Sequence, residues 1–147
     1  MILGSIYVLM VLLVGSVYDW KYFSLPVWLL AAGLLGGIGG ALYSLLVDEA
    51  SVLSVIIAFL PGAIALLLSY LTGEQIGYGD GLILLAMGGC MGIKQILMVA
   101  GIALGVSFAV SVTLVVLRRV GRTQKLPFVP FLLIGWMAAW GGGFLFG

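Results

Sequence analysis

Two aspartates stand where a strongly apolar chain has little reason to place them. Asp19 comes near the end of the run "MILGSIYVLMVLLVGSVYDW", and Asp80 lies in "IGYGDG", immediately ahead of the apolar stretch "LILLAMGGCMG". The chain has only five acidic residues in 147. An ionisable side chain within a membrane helix costs about 2.5–3.5 kcal/mol on insertion scales, so each aspartate is a candidate functional group. Two carboxylates that share a proton can hydrolyse a peptide bond. One takes a proton from water while the other, protonated, polarises the carbonyl. Gly77 and Gly79 fit that chemistry, because glycine allows unusual dihedrals and lets a substrate backbone come close beside Asp80.

The residues alone leave ordinary roles open as well. Asp19 could cap a helix or pair with Lys21 at an interface, and Asp80 could be the N-cap of the helix it precedes. Glu74 reads as a solvated loop residue, and Asp48 with Glu49 as a solvated turn.

The elements that position the aspartates follow from composition. The chain is 64% hydrophobic and 7% charged, whereas about a quarter of ordinary globular residues are charged. It is therefore expected to be an integral membrane protein, and its long apolar runs make it all-α rather than a barrel. A net charge of +1 gives no reason to expect a nucleic-acid partner. With no histidine and one cysteine, Cys90, His-dependent triads, the H-E-x-x-H metalloprotease helix and multi-cysteine zinc sites are excluded. The N-terminal run lacks a basic n-region and a small-residue cleavage site before Asp19, so it reads as a retained helix rather than a signal peptide.

Charge and turn residues divide the chain into six apolar segments: Ile2–Tyr18, Pro26–Val47, Val52–Leu71, Ile76–Ile93, Gln95–Leu117 and Pro127–Phe146. Each is near the ~20 residues needed to cross ~30 Å of hydrocarbon. The expectation is one compact six-helix bundle over residues 1–147, with no soluble domain. The first, third and fifth connections carry Lys21, Arg118, Arg119, Arg122 and Lys125, while the other side has only Lys94, with Asp48 and Glu49. The positive-inside rule then places those connections in the cytoplasm and both termini outside.

This parity brings Asp19 and Asp80 to the same, cytoplasmic, end. The first segment supplies about 25 Å of helix, which sets Asp19 at or just within the boundary. Gly81–Ile93 supplies only about 20 Å, so "QIGYGD" must itself enter the membrane region, on backbone that need not be fully helical. Gly33/Gly37, Gly36/Gly40, Gly88/Gly92 and Gly101/Gly105 are small pairs four apart, suited to close helix packing. Pro61-Gly62 should bend or loosen the third helix. Tyr18, Trp20, Tyr22 and Tyr70 lie at span ends as interfacial anchors. The basic stretch "RRVGRTQK" reads as a topology determinant that also meets anionic lipid headgroups.

Three motifs together resemble the type IV prepilin peptidases, membrane-embedded aspartic proteases. "IGYGDGLILLAMGG" is similar to their GxGD segment. "YDWKYFSLPVWL" looks like their first aspartate followed by a short polar stretch and a proline. "KLPFVPFLLIGW" is similar to their Pro-Phe-x-Pro-Phe motif. The resemblance spans nearly the whole chain and implies that Asp19 and Asp80 are the catalytic pair. It implies that Gly77, Tyr78 and Gly79 position Asp80, and that Pro127, Phe128 and Pro130 belong to the substrate-positioning motif. It further implies a pilin-like precursor with a short basic leader, cut just after a glycine on the cytoplasmic side, with no metal or cofactor. Glu74 is a candidate to meet that leader.

Two positions depart from many relatives: Val27 follows Pro26 in place of asparagine, and Leu82 stands in place of lysine. Both bear on which pilin subclass is recognised. Longer relatives add a paired-cysteine cytoplasmic domain linked to N-methylation. With Cys90 alone, the expectation is a peptidase-only short form without methyltransferase activity.

Three rivals remain at this level. A transporter would favour mid-membrane carboxylates and repeated halves. A structural subunit would tolerate Asp→Asn at both sites. A presenilin-like protease would cut within helices. Oligomeric state is not legible, because glycine faces serve equally within and between chains.

Overall fold

A computed structural model describes residues 2–22, 25–71, 73, 78–117 and 128–146. Among the described residues there are six helices and no strand. They are α1 (Ile2–Tyr22), α2 (Val27–Leu46), α3 (Val52–Leu71), α4 (Tyr78–Met91), α5 (Ile93–Val116) and α6 (Val129–Phe146). Each predicted apolar segment has become one helix. α1, α2, α3 and α5 are long and apolar enough to cross a membrane, whereas α4 and the stretch Val129–Gly142 of α6 are shorter apolar helices.

The outer surface is that of a chain built for hydrocarbon. Large apolar side chains such as Leu35 and Phe108 are 71% exposed, far more than a protein surrounded by water tolerates in quantity. The buried core is small and gathers Leu12, Ile83, Met87, Ile96 and Leu132 from α1, α4, α5 and α6.

α4 packs against α1, α2, α3 and α5, most extensively against α2 and α3, while α6 packs on α5 and α1. Apolar side chains gain little by leaving lipid for protein, so close backbone approach must supply the attraction. Glycines provide it. A Cβ on Gly37 would lie 2.8 Å from the Ala86 Cα, and one on Gly40 would lie 2.8 Å from the Cys90 Cα. On the other face of α4, the Gly88 backbone abuts the Ala58 carbonyl, and Gly62 of α3 abuts the Leu85 backbone. Of the expected small pairs, Gly33/Gly37 and Gly36/Gly40 are packed, whereas Gly101 and Gly105 have nothing within 4 Å of their would-be Cβ atoms. α3 runs unbroken through Pro61, and the adjoining Gly62 serves close packing on α4.

Boundaries differ most from the sequence expectation at the α4–α5 junction and at the end of α1. The fourth segment was expected to run to Ile93, but α4 stops at Met91 because Gly92 takes φ 82°, a left-handed conformation that favours glycine. Its amide donates back to the Gly88 carbonyl at 3.0 Å while its own carbonyl accepts from Ile96 at 3.1 Å, so one residue ends α4 and starts α5. α1 continues past Tyr18 to Tyr22. Its last turn is held by the Tyr18–Tyr22 ring pair at 6.0 Å, the Tyr18–Trp28 edge contact at 6.2 Å, and Lys21 near the helix C-terminus, where a cation suits the dipole. Asp19 is consequently inside a helix and not at its end.

Candidate active site

Asp19 is 7% exposed, in the last turns of α1. A buried carboxylate needs hydrogen-bond donors, and α6 supplies them. The Val129 amide donates to Asp19 Oδ2 at 3.1 Å, and the Phe128 amide also reaches the carboxylate.

The start of α6 explains why these donors are free. Phe128 precedes the helix, and its carbonyl accepts from Phe131 at 3.0 Å and Leu132 at 3.1 Å. Val129 and Pro130 are the first two helical residues. Proline has no N–H to satisfy, and the Val129 N–H has no intrahelical partner. Asp19 takes it, so the carboxylate of one helix caps another. The alternative partner, Lys21, places its ammonium 5.2 Å from the Tyr22 ring centre instead.

Asp80 is half-buried in the first turn of α4, where the helix N-terminus favours a carboxylate. It is the third residue of α4 and not its N-cap. Leu25 touches both Gly15, one turn before Asp19, and Gly79, next to Asp80, so both aspartates belong to the same end of the helices. Among the described residues no hydrogen-bond donor reaches Asp80, whereas the Val129 amide clamps Asp19.

The remaining predicted residues divide. Tyr78 is the first residue of α4 and 40% exposed. Gly79 is helical, so its dihedrals are ordinary. What it contributes is space, since a Cβ there would lie 2.8 Å from Leu25 Cδ1. Phe128 and Pro130 form the start of α6 as described. Gly77, Pro127, Glu74 and the stretch 118–127 lie outside the described residues. Among the described residues no three His, Cys, Asp or Glu side chains converge.

Two contributors were not legible. The Val129 backbone amide carries no side-chain signature, although the proline after it marks a helix start. Leu25 stands between α1 and α2, against Gly15 and Gly79. Its one signal is its place before Pro26, which biases it to extended backbone and away from either helix.

A cavity of about 600 Å³ lies at the opposite end, between the start of α1 (Leu3, Tyr7) and the end of α4 (Gly88–Gly92). It contains neither aspartate.

A family model described as the type IV leader peptidase family matches residues 6–118. The chain belongs to this family. The matched span includes Asp19 and Asp80 and ends before Phe128 and Val129, so the part α6 plays in this leader peptidase rests on the geometry above. No curated protein and no solved structure matches the chain.

Proposed function

We propose that this chain is a membrane aspartic endopeptidase that removes the short basic leader of type IV prepilin-like precursors, whether pilins or pseudopilins. Cleavage follows a glycine, at the cytoplasmic boundary of a prokaryotic cell membrane. Asp19 and Asp80 activate the water. The observation that supports this reading is that Leu25 lies against both Gly15, one turn before Asp19 on α1, and Gly79, next to Asp80 on α4, so the two aspartates belong to one end of the helices.

One carboxylate of the pair takes a proton from water as the water oxygen bonds to the carbonyl carbon. The other carboxyl gives its proton to the carbonyl oxygen. The tetrahedral intermediate then collapses: the C–N bond breaks, the proton first taken from water passes to the departing amine, and one hydroxyl of the intermediate returns its proton to the other carboxylate as the carbonyl re-forms. The pair acts as one titrating unit. The Val129 and Phe128 amides hold Asp19 in orientation through this cycle, which is the role the Pro-Phe-x-Pro-Phe resemblance gains here. No metal or cofactor takes part. The whole chain works as one six-span unit with both termini outside, and without methyltransferase activity.

The test is a cleavage assay in detergent with a pilin-like precursor from the same organism, read by the mass of the lost leader. Wild type should cut. Asp19→Asn and Asp80→Asn should each lose about 10²–10⁴-fold or more. Cleavage undiminished in both variants would sink the mechanism.

A further inference from the structure

Gly15 and Gly79 share one neighbour. A Cβ on Gly79 would lie 2.8 Å from Leu25 Cδ1 and 3.4 Å from its Cβ and Cγ, and a Cβ on Gly15 would lie 3.5 Å from Leu25 Cδ2. Gly15 is one turn before Asp19 on α1, and Gly79 adjoins Asp80 on α4. The Leu25 side chain therefore bridges the two helices that carry the carboxylates, with a methyl group against each. It is only partly buried, so one side stays accessible.

Gly15 is tight on its other sides too. Its would-be Cβ is 3.3 Å from Val129 Cγ1 and 3.4 Å from Leu29 Cδ2. The Leu25 side chain is thus wedged against backbone that has no side chain to give way.

We infer that Leu25 is the specificity-determining residue of the site, its side chain filling the space beside Asp80 so that only a residue with no side chain fits before the cleaved bond. This deepens the proposed function and rests on it. In that setting the glycine requirement is steric: Leu25 already takes up the room beside Gly79, next to Asp80, and leaves none there for a substrate Cβ. A single methyl group misfitted in a pocket changes kcat/KM by about 10–200-fold, which is the scale on which such a filter works.

The experiment measures kcat/KM for two precursors differing only in glycine or alanine before the cleaved bond. Wild type, Leu25→Ala, Leu25→Val and Leu25→Met are compared. Leu25→Ala should raise the alanine-to-glycine ratio by about 10–100-fold. Leu25→Val should raise it less, and Leu25→Met, close to leucine in volume, should keep the wild-type ratio. General damage to the fold would lower both precursors together and leave the ratio alone. If Leu25→Ala cuts neither precursor, Leu25→Val decides: a raised ratio supports the assignment and an unchanged one overturns it. Wild type cutting the glycine precursor, with unchanged ratios in the shortened variants, overturns this inference and leaves the proposed function standing. Wild type cutting neither precursor overturns both.

Discussion

The Asp19 carboxylate and the Val129 amide are 110 residues apart in sequence and 3.1 Å apart in space. Through that contact a buried carboxylate of α1 becomes the cap of α6, and the start of α6 becomes the clamp on a candidate catalytic group. The donor is main chain, so substitution of the Val129 side chain tests packing and only proline tests the clamp.

Val129→Pro removes the amide hydrogen at the first position of a helix, where proline is structurally accepted. A hydrogen bond to a charged group contributes about 1.5–3 kcal/mol, so kcat should fall by about 10–150-fold with KM little changed. Val129→Ala keeps the donor and should act mainly on stability. Equal loss of kcat in both variants would show that packing, not the clamp, is what matters.

The double variant Asp19→Asn/Asp80→Asn should be no slower than the worse single variant. Residues that act as one unit are strongly non-additive. Steady-state cleavage rates check this. Independent, multiplying losses would separate the two groups into distinct roles.

Gly88→Ala drives a methyl group into the Ala58 carbonyl of α3, where backbone cannot easily yield. Overpacking of this kind costs about 1–3 kcal/mol. The apparent Tm in detergent should fall by several degrees. Gly101→Ala, with nothing within 4 Å, should leave Tm unchanged or raise it slightly through helix propensity. A destabilised Gly101→Ala would place that face in a contact outside the described chain.

The proposed orientation is tested with cysteines introduced at Lys94 or Arg122 in a Cys90→Ser background. A membrane-impermeant maleimide should label Lys94→Cys in intact cells and Arg122→Cys only after permeabilisation. The reverse pattern would put the aspartates at the outer face and remove the cytoplasmic cleavage site from the proposal.

Much of this protein is written locally. Hydropathy, the scarcity of charge and the placing of Gly and Pro mark six helices, because lipid imposes its requirement on each segment separately. The same scarcity singles out Asp19 and Asp80, and the expected parity of crossings assigns both to one end. Departures came where a boundary depends on a single dihedral, as at Gly92, or on side chains stacking after the turn, as Tyr18, Tyr22 and Trp28 do at the end of α1.

By itself the sequence determined the membrane class, the six helices and the two candidate carboxylates. Only the tertiary structure decided that α4 is enclosed by α2 and α3, that Asp19 is clamped by the first amide of α6, and that Leu25 fills the space left by Gly15 and Gly79. The reason is physical. Whether a segment prefers lipid is a sum over its own residues, but a cap or a filled notch exists only when backbones distant in sequence approach within van der Waals range. A glycine, a main-chain amide and a loop leucine carry no local mark of which partner will arrive.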